Sequence, residues 1–132
     1  QGPNDFRKKL IHFLFKNSYI FLFQQRFFLM DTFSRIHIEE AQQKLRSGGA
    51  LFIDVRDYLS HIEGHIEPSF HINQNNINTL IKQTPKDRPL VVYCYHGHSS
   101  QHAAQFLIEQ GFSEVYNLEG GYEAWAFASE TP

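Results

Sequence analysis

The sequence predicts an α/β domain in which a central, mainly parallel β-sheet is flanked by helices on both faces. Two short apolar runs, residues 50–55 (ALFIDV) and 89–94 (PLVVYC), lack the alternation of a half-exposed strand. Strands that are buried on both faces of a parallel sheet have this composition. Segments with helical spacing alternate with such runs along the chain, and no hairpin turn signal separates them, which favours a parallel sheet.

The first elements precede these apolar runs. Residues 36–38 have the composition of a short opening strand. Residues 39–47 place Ala41 and Leu45 four positions apart with polar residues between them, which is the pattern of an amphipathic helix. The Gly-Gly pair that follows ends this helix, because glycine readily takes the left-handed conformation that closes a helix.

The remaining elements continue the alternation of strand and helix. Apolar residues recur at helical spacing in two further segments, and the second of these stops at Gly111. In chain order we predict a helix at residues 76–83, a helix at 100–110, a strand at 115–118 and a last helix that begins at Gly120-Gly121.

Length and charge limit the possible functions. The chain has 132 residues, of which 42% are hydrophobic, and this is enough for one domain with its own core. The 12 Lys and Arg residues nearly balance the 14 Asp and Glu residues, and the pI is near 6.5. We therefore expect no polybasic surface and no binding of nucleic acid.

Cys94 is the only cysteine of the chain. It cannot form an intrachain disulfide, and it cannot supply the several thiolates of a structural zinc or iron–sulfur site. No cofactor is implied. A reducing cytoplasm is the expected location, and Cys94 is there either a buried apolar residue or a reactive thiol.

The first 29 residues differ from the rest of the chain. The opening letters QGP suggest the remnant of a cleaved tag, and residues 7–29 form a hydrophobic N-terminal extension of uncertain role. Charged and amide side chains interrupt its apolar residues, so we expect neither a membrane span nor a secretory signal. The single methionine, Met30, is a candidate natural start, which leaves residues 30–132 as the folded domain.

The carboxyl ends of the predicted strands are the place to search for a site. In open parallel sheets the functional crevice lies just beyond these ends. Polar or glycine-rich segments occupy three such places: residues 54–57, 94–100 and 119–121. The middle segment contains the cysteine and is the candidate site.

This middle segment has the local sequence of an anion cradle. Cys94 ends a buried strand, a short loop follows, and a helix begins near Ser100. Backbone N–H groups of such a loop, together with the helix N-terminus, would stabilise a thiolate and hold an oxyanion beside it. Gly97 allows a tight turn near the sulfur. Four side chains would add hydrogen-bond donors, or in the case of the serines cap the helix: His96, His98, Ser99 and Ser100.

Two other interpretations of Cys94 stay open. It could be a small apolar residue that ends a core strand, as buried free cysteines commonly are. It could also bind a metal ion with His96, His98 and His102, although two residues this close on a tight loop seldom point at one ion.

The motifs of the chain resemble those of the single-domain rhodaneses, and among these the bacterial thiosulfate sulfurtransferases. The similarity covers residues 31 to about 128 and rests on four motifs: FIDVR at 52–56, EGHI at 63–66, CYHGHSS at 94–100 and VYNLEGGYEAW at 115–125. Each motif is weak alone, but the four in this order are highly specific. The resemblance implies a rhodanese-like fold with a five-stranded sheet, and no metal.

The resemblance also implies a two-step transfer of sulfane sulfur through Cys94. The thiolate attacks the outer sulfur of thiosulfate, sulfite leaves, and a cysteine persulfide remains. Cyanide or a dithiol acceptor such as thioredoxin then takes the sulfur. The residues expected to bind the substrate form the active-site loop: Tyr95, His96, Gly97, His98, Ser99 and Ser100.

Three further residues of the motifs are expected to support the site without reacting. Asp54 and Arg56 follow a buried strand and would fasten neighbouring loops by charge-assisted hydrogen bonds, with an indirect effect on the site as the alternative. His65 is expected to be a packing histidine. The pair Gly120-Gly121 would allow a close turn beside the cysteine loop.

The end of the cysteine loop departs from the commonest pattern of the family. Many rhodaneses have arginine where this chain has Ser99. The charge of the substrate must then be met by loop amides and serine hydroxyls, so we expect weak binding of thiosulfate.

Three other functions compete with this interpretation. A phosphatase of the same fold needs an arginine six residues after the cysteine, where this chain has Ser100, so this function is disfavoured. A non-catalytic binding module typically lacks the cysteine. A persulfide relay that is loaded by a protein donor uses the same thiol chemistry, and the sequence does not separate it from an enzyme that uses thiosulfate.

Overall fold

A computed structural model describes residues 32–130, and a five-stranded sheet lies at their centre. All neighbouring strands are parallel, and their order across the sheet is β1-β5-β4-β2-β3. The predicted parallel α/β fold is therefore confirmed. The strands are β1 (Ser34–Ile36), β2 (Leu51–Asp54), β3 (Phe70–His71), β4 (Leu90–Tyr93) and β5 (Val115–Leu118).

Five helices accompany the sheet in the described part of the chain. They are α1 (Ile38–Ser47), α2 (Tyr58–Glu63), α3 (Ile77–Gln83), α4 (Ser100–Glu109) and α5 (Gly121–Glu130). One core cluster joins one face of the sheet to α3 and α4, and a second joins the other face to α1 and α5. Helices on both faces were predicted, and the two clusters confirm them.

Successive residues of the central strands point to opposite faces and enter different clusters. Phe52 and Val91 belong to the cluster with α1 and α5, whereas Ile53 and Val92 belong to the cluster with α3 and α4. Burial on both faces explains why these strands have continuous apolar sequences. Cys94 directly follows β4, whose four residues are all buried by this packing.

The prediction of a strand at residues 36–38 is wrong at both ends, since it lies two residues too far along the chain. β1 occupies Ser34–Ile36, and α1 already begins at Ile38. Pairing with β5 decides this register, because Ser34 lies beside Tyr116 and Ile36 beside Leu118. The other predicted elements agree within one or two residues, while α2 and β3 were not predicted.

The predicted tag remnant, the extension at residues 7–29 and the start at Met30 lie outside the described residues. The domain boundary at residue 30 therefore stays a prediction. Within residues 32–130, no helix is long and apolar enough to cross a membrane.

Candidate functional site

The three predicted segments lie at one edge of the sheet, because the strands that precede them are parallel neighbours. Asp54 at the end of β2 pairs with Tyr93 at the end of β4, and Val92 pairs with Asn117 of β5. Cys94 follows Tyr93 directly. The cysteine loop thus lies between the segment that follows β2 and the segment that follows β5.

Cys94 is a free thiol at the end of the fully buried strand β4, and only 4% of its surface is exposed. Two groups of its own loop donate hydrogen bonds to the sulfur. The Gly97 backbone N–H lies 3.1 Å from Sγ, and the Ser100 hydroxyl also lies 3.1 Å from Sγ. The loop therefore wraps back onto its first residue, as an anion cradle requires.

These donors favour the thiolate. Burial raises the pKa of Cys94, but hydrogen bonds from the Ser100 and Ser99 side chains and from the backbone N–H groups of Ser100 and Gly97 outweigh it, so that the pKa falls to about 7. Each of these donors is uncharged. A large fraction of the thiol is consequently ionised at neutral pH, and the thiolate is the reactive form.

Gly97 takes a conformation that directs its N–H at the sulfur, and its neighbours hold it there. Gly97 has φ +92, a conformation that favours glycine, and an added Cβ would lie only 3.0 Å from the Leu118 carbonyl oxygen. Its own carbonyl accepts from Asn117 Nδ2 at 2.9 Å and from Gln101 Nε2 at 3.1 Å. The predicted need for glycine at this turn is confirmed.

The N-terminus of α5 anchors the first half of the loop. The Tyr122 N–H donates to the Cys94 carbonyl at 2.8 Å, and the Glu123 N–H donates to the Tyr95 carbonyl at 3.0 Å. Gly121 makes this approach possible, because a Cβ there would lie 2.6 Å from the Cys94 carbonyl oxygen. The close turn predicted for the Gly-Gly pair is present beside the cysteine loop.

The other loop residues form an exposed rim around the sulfur. Tyr95, His96, His98 and Ser99 are exposed, whereas Ser100 is buried. His96 Nδ1 lies 2.7 Å from Glu123 Oε2. Ser99 occupies the N-cap position of α4, but its side chain makes no capping hydrogen bond. The predicted role as a helix cap is therefore wrong for Ser99, and of the two serines Ser100 is the one bonded to the sulfur.

Asp54 and Arg56 lie in a second cluster, around a buried carboxylate, and the Arg56 guanidinium also lies 4.3 Å from the centroid of the Tyr122 ring. The Arg56 guanidinium makes a two-point contact with Asp54, at 3.0 Å from Nε to Oδ1 and 2.8 Å from Nη2 to Oδ2. Burial alone would raise the pKa of Asp54, but the bonds from Arg56 outweigh it and lower the pKa. Arg56 also donates to the Gly64 carbonyl at 2.6 Å, so the pair fastens the end of α2 to the sheet.

Histidines extend this second cluster. His61 Nδ1 lies 2.9 Å from Asp54 Oδ2, and the His61 and His65 rings stack with centroids 3.8 Å apart. His65 also contacts Glu67 at 2.8 Å. These partners agree with a packing role for His65, which stays a prediction because no measurement tests it.

Asn117 is the residue of the site that the sequence reasoning missed. It is 2% exposed, and it bonds to both Gly97 and Ser100 of the cysteine loop. An asparagine inside the otherwise apolar and aromatic strand VYNL was the available signal, because a buried amide needs specific partners.

The alternative metal site at Cys94 does not assemble. Across residues 32–130, no three or more His, Cys, Asp and Glu side chains group in a way that could hold a metal ion. The histidines of the loop lie on its exposed rim instead.

Comparisons with known proteins point to one family. Residues 37–128 match the family model described as a rhodanese-like domain. The chain is 50% identical over 97 residues to a thiosulfate sulfurtransferase GlpE of Pseudomonas paraeruginosa, covering 74% of this chain and 87% of that protein. It is 49% identical over 104 residues to a protein of the same name from Ectopseudomonas mendocina, covering 77% and 94%.

A solved structure agrees with these matches. A rhodanese-related protein from Thermoplasma volcanium superimposes with a TM-score of 0.63 at 26% sequence identity, over 76% of this chain and 96% of that one.

Proposed function

The chain belongs to the rhodanese-like domain family, and from this premise we propose that it is a thiosulfate sulfurtransferase that carries sulfur as a persulfide on Cys94. One observation carries the proposal: a buried thiol lies at the centre of a loop whose N–H and hydroxyl groups donate to it, and these donors bring its pKa to about 7. The half-identical relatives named as thiosulfate sulfurtransferases support the same activity.

In the first step the Cys94 thiolate attacks the outer sulfur of thiosulfate. A bond forms between Sγ and that sulfur, the bond from that sulfur to the sulfonate group breaks, and its electron pair leaves with sulfite. The exposed rim of the loop, which includes His96, His98 and Ser99, supplies the surface at which the sulfonate oxygens would bind. Without an arginine there, hydroxyl and amide donors must bind this group, and a high KM follows.

In the second step an acceptor attacks the outer sulfur of the persulfide. The electron pair of the S–S bond returns to Cys94 as a thiolate, which the Gly97 N–H and the Ser100 hydroxyl again stabilise. Cyanide serves as a small acceptor. A dithiol protein such as thioredoxin is the corresponding biological acceptor in this proposal, and the reaction takes place in the reducing cytoplasm, where a lone thiol is preserved.

Phosphatase activity has little support at this site. The position at which a phosphatase of this fold has its arginine is Ser100, and that side chain is buried with its hydroxyl bonded to Cys94 Sγ. An uncharged, buried hydroxyl cannot hold a phosphate by two parallel bonds, as an arginine does.

Intact mass spectrometry tests the sulfur-transfer proposal. After incubation with thiosulfate, we expect the wild-type protein to gain one sulfur atom and to lose it to cyanide with release of thiocyanate. The Cys94→Ser variant should gain none and should have no transfer activity, because a hydroxyl of this kind is not ionised at neutral pH. If the wild type gains no sulfur at every thiosulfate concentration used, thiosulfate is not its donor. Loading by protein persulfides is then tested next.

A further inference from the structure

Asn117 has a buried side chain to which the proposed reaction assigns no role. It lies in β5, and its amide Nδ2 donates to the Gly97 carbonyl at 2.9 Å. A carbonyl can only accept, so this contact fixes which end of the amide is the donor. Asn117 Oδ1 then faces the Ser100 hydroxyl and accepts from it.

The Ser100 hydroxyl has one proton and two acceptors within reach. Its oxygen lies 3.1 Å from Cys94 Sγ and also bonds to Asn117 Oδ1. A hydroxyl donates one hydrogen bond, so it can serve only one of the two acceptors well. Ser100 is fully buried, and its hydroxyl cannot turn to solvent instead.

We propose that Asn117 is a positioning residue that shares the hydroxyl proton of Ser100 with the sulfur of Cys94. When the sulfur is a thiolate, it is the stronger acceptor, and Ser100 donates to it. When the sulfur is a thiol or a persulfide, Ser100 donates to Asn117. This inference rests on the proposed function only where it concerns the persulfide.

The hydroxyl turns twice in one cycle of sulfur transfer. As Cys94 attacks the outer sulfur of thiosulfate, the new S–S bond removes the negative charge from Sγ, and Ser100 turns to Asn117. As the acceptor takes the outer sulfur, the electron pair of that S–S bond returns to Sγ, and Ser100 turns back. The Ser100 hydroxyl therefore has an acceptor in both halves of the cycle, which avoids the penalty of an unsatisfied buried donor.

If the proton is shared, loss of the Asn117 acceptor must shift the pKa of Cys94 in one direction, whereas a residue that only anchors the loop fixes no such direction. The bond from Ser100 to Asn117 is present in the thiol state and broken in the thiolate state, so Asn117 favours the thiol. Replacing Asn117 by leucine, which has a similar shape but no acceptor, destabilises only the thiol state and lowers the pKa of Cys94. The bond from Asn117 Nδ2 to the Gly97 carbonyl affects Cys94 only through the position of the loop. Its loss should therefore change the pKa of Cys94 equally whether or not residue 100 has a hydroxyl.

A double-mutant cycle separates the two effects. The rate of alkylation of Cys94 by iodoacetamide is measured against pH for the wild type, Asn117→Leu, Ser100→Ala and the double variant. The shift in the pKa of Cys94 that Asn117→Leu causes is compared between the wild-type and the Ser100→Ala backgrounds. We expect the shift in the wild-type background to be lower by about one unit. The ionisable groups on the loop and on the first turn of α5 are the same in all four proteins and cancel in the cycle: Tyr95, His96, His98, Tyr122 and Glu123.

An equal pKa shift in both backgrounds, or a relative shift upward, would show that Asn117 only anchors the loop and would overturn the inference. If circular dichroism shows that the leucine variant does not fold, Asn117→Val replaces it in the same cycle, since a β-branched residue suits a strand. Alkylation needs no sulfur donor. A wild type that does not load sulfur therefore contradicts the proposed function, while the cycle still decides whether the proton is shared.

Discussion

The loop after β4 and the segment at the end of β2 each place an acidic group at the same edge of the sheet. Asp54 is fully buried, and the full positive charge of Arg56 meets it at two points. Cys94 is nearly as buried, but the groups that stabilise its thiolate are hydroxyls and backbone N–H groups without net charge.

The difference suits the roles that we propose for the two anions. A charge that a guanidinium fully compensates stays ionised through the whole physiological range, and it can fasten α2 to the sheet. A nucleophile must lose its charge when it forms a bond and regain it afterwards. Neutral dipoles stabilise such a charge without fixing it, which leaves the pKa of Cys94 near 7.

Removing Arg56 is the change within this comparison that we expect to have the largest effect. Arg56→Met leaves the Asp54 carboxylate buried and unpaired, so the free energy of unfolding should fall by about 3–5 kcal/mol at neutral pH. The pKa of Asp54 is lowered in the wild type, and its stabilising contribution is lost as the pH falls through that pKa. The difference between variant and wild type should therefore shrink in acid, which urea denaturation at several pH values measures.

The double variant Asp54→Asn/Arg56→Met is the matched control, because it removes both charges and should recover part of the lost stability. At a temperature at which Arg56→Met is folded, its Cys94 should still titrate near 7. A large shift of that pKa would break the comparison, since it would show that the two clusters act as one.

Ser100→Ala should have an intermediate effect, on the pKa of Cys94. The hydroxyl bonded to Sγ favours the thiolate, so its loss should raise the pKa by about one unit. In the wild type the alkylation rate should rise with pH around a midpoint of about 7 and then level off. In the variant this midpoint moves upward. Sulfur loading from thiosulfate should therefore be slowest relative to the wild type at and below the wild-type pKa of about 7.

Serine at the neighbouring position provides the control for this measurement. Ser99→Ala removes a hydroxyl that also lowers the pKa of Cys94, but by less than the Ser100 hydroxyl does. Its upward shift should be the smaller of the two. The reverse order would contradict the geometry in which Ser100 is the side chain bonded to the sulfur.

Glu123→Gln should have the smallest effect. The contact of Glu123 with His96, which is an ion pair only when the imidazole is protonated, is more than half exposed on both side chains, and exposed pairs contribute about 0–1 kcal/mol. Stability at low salt should change within that range, and the change should disappear at high salt. A larger loss, measured by urea denaturation, would mean that the exposed rim of the loop is held as firmly as the cluster around Asp54.

The predictable parts of the fold are those with a strong local pattern. β2 and β4 have continuous apolar sequences, and α4 has buried residues at helical spacing. α2 buries none of its residues, so it shows no amphipathic pattern. β3 has two residues, one of them exposed, and only its pairing with β2 makes it a strand.

The sequence by itself determined the parallel α/β fold, the single cysteine and the glycines around it, because each of these is visible in the pattern of neighbouring residues along the chain. Only the tertiary structure decided which groups bond to the loop. Asn117 reaches Gly97 and Ser100 because β5 lies beside β4, and α5 binds the loop carbonyls because its first turn packs against them. Hydrogen bonds between segments that are distant in the chain depend on where those segments lie in space, and packing of the sheet and helices sets those positions.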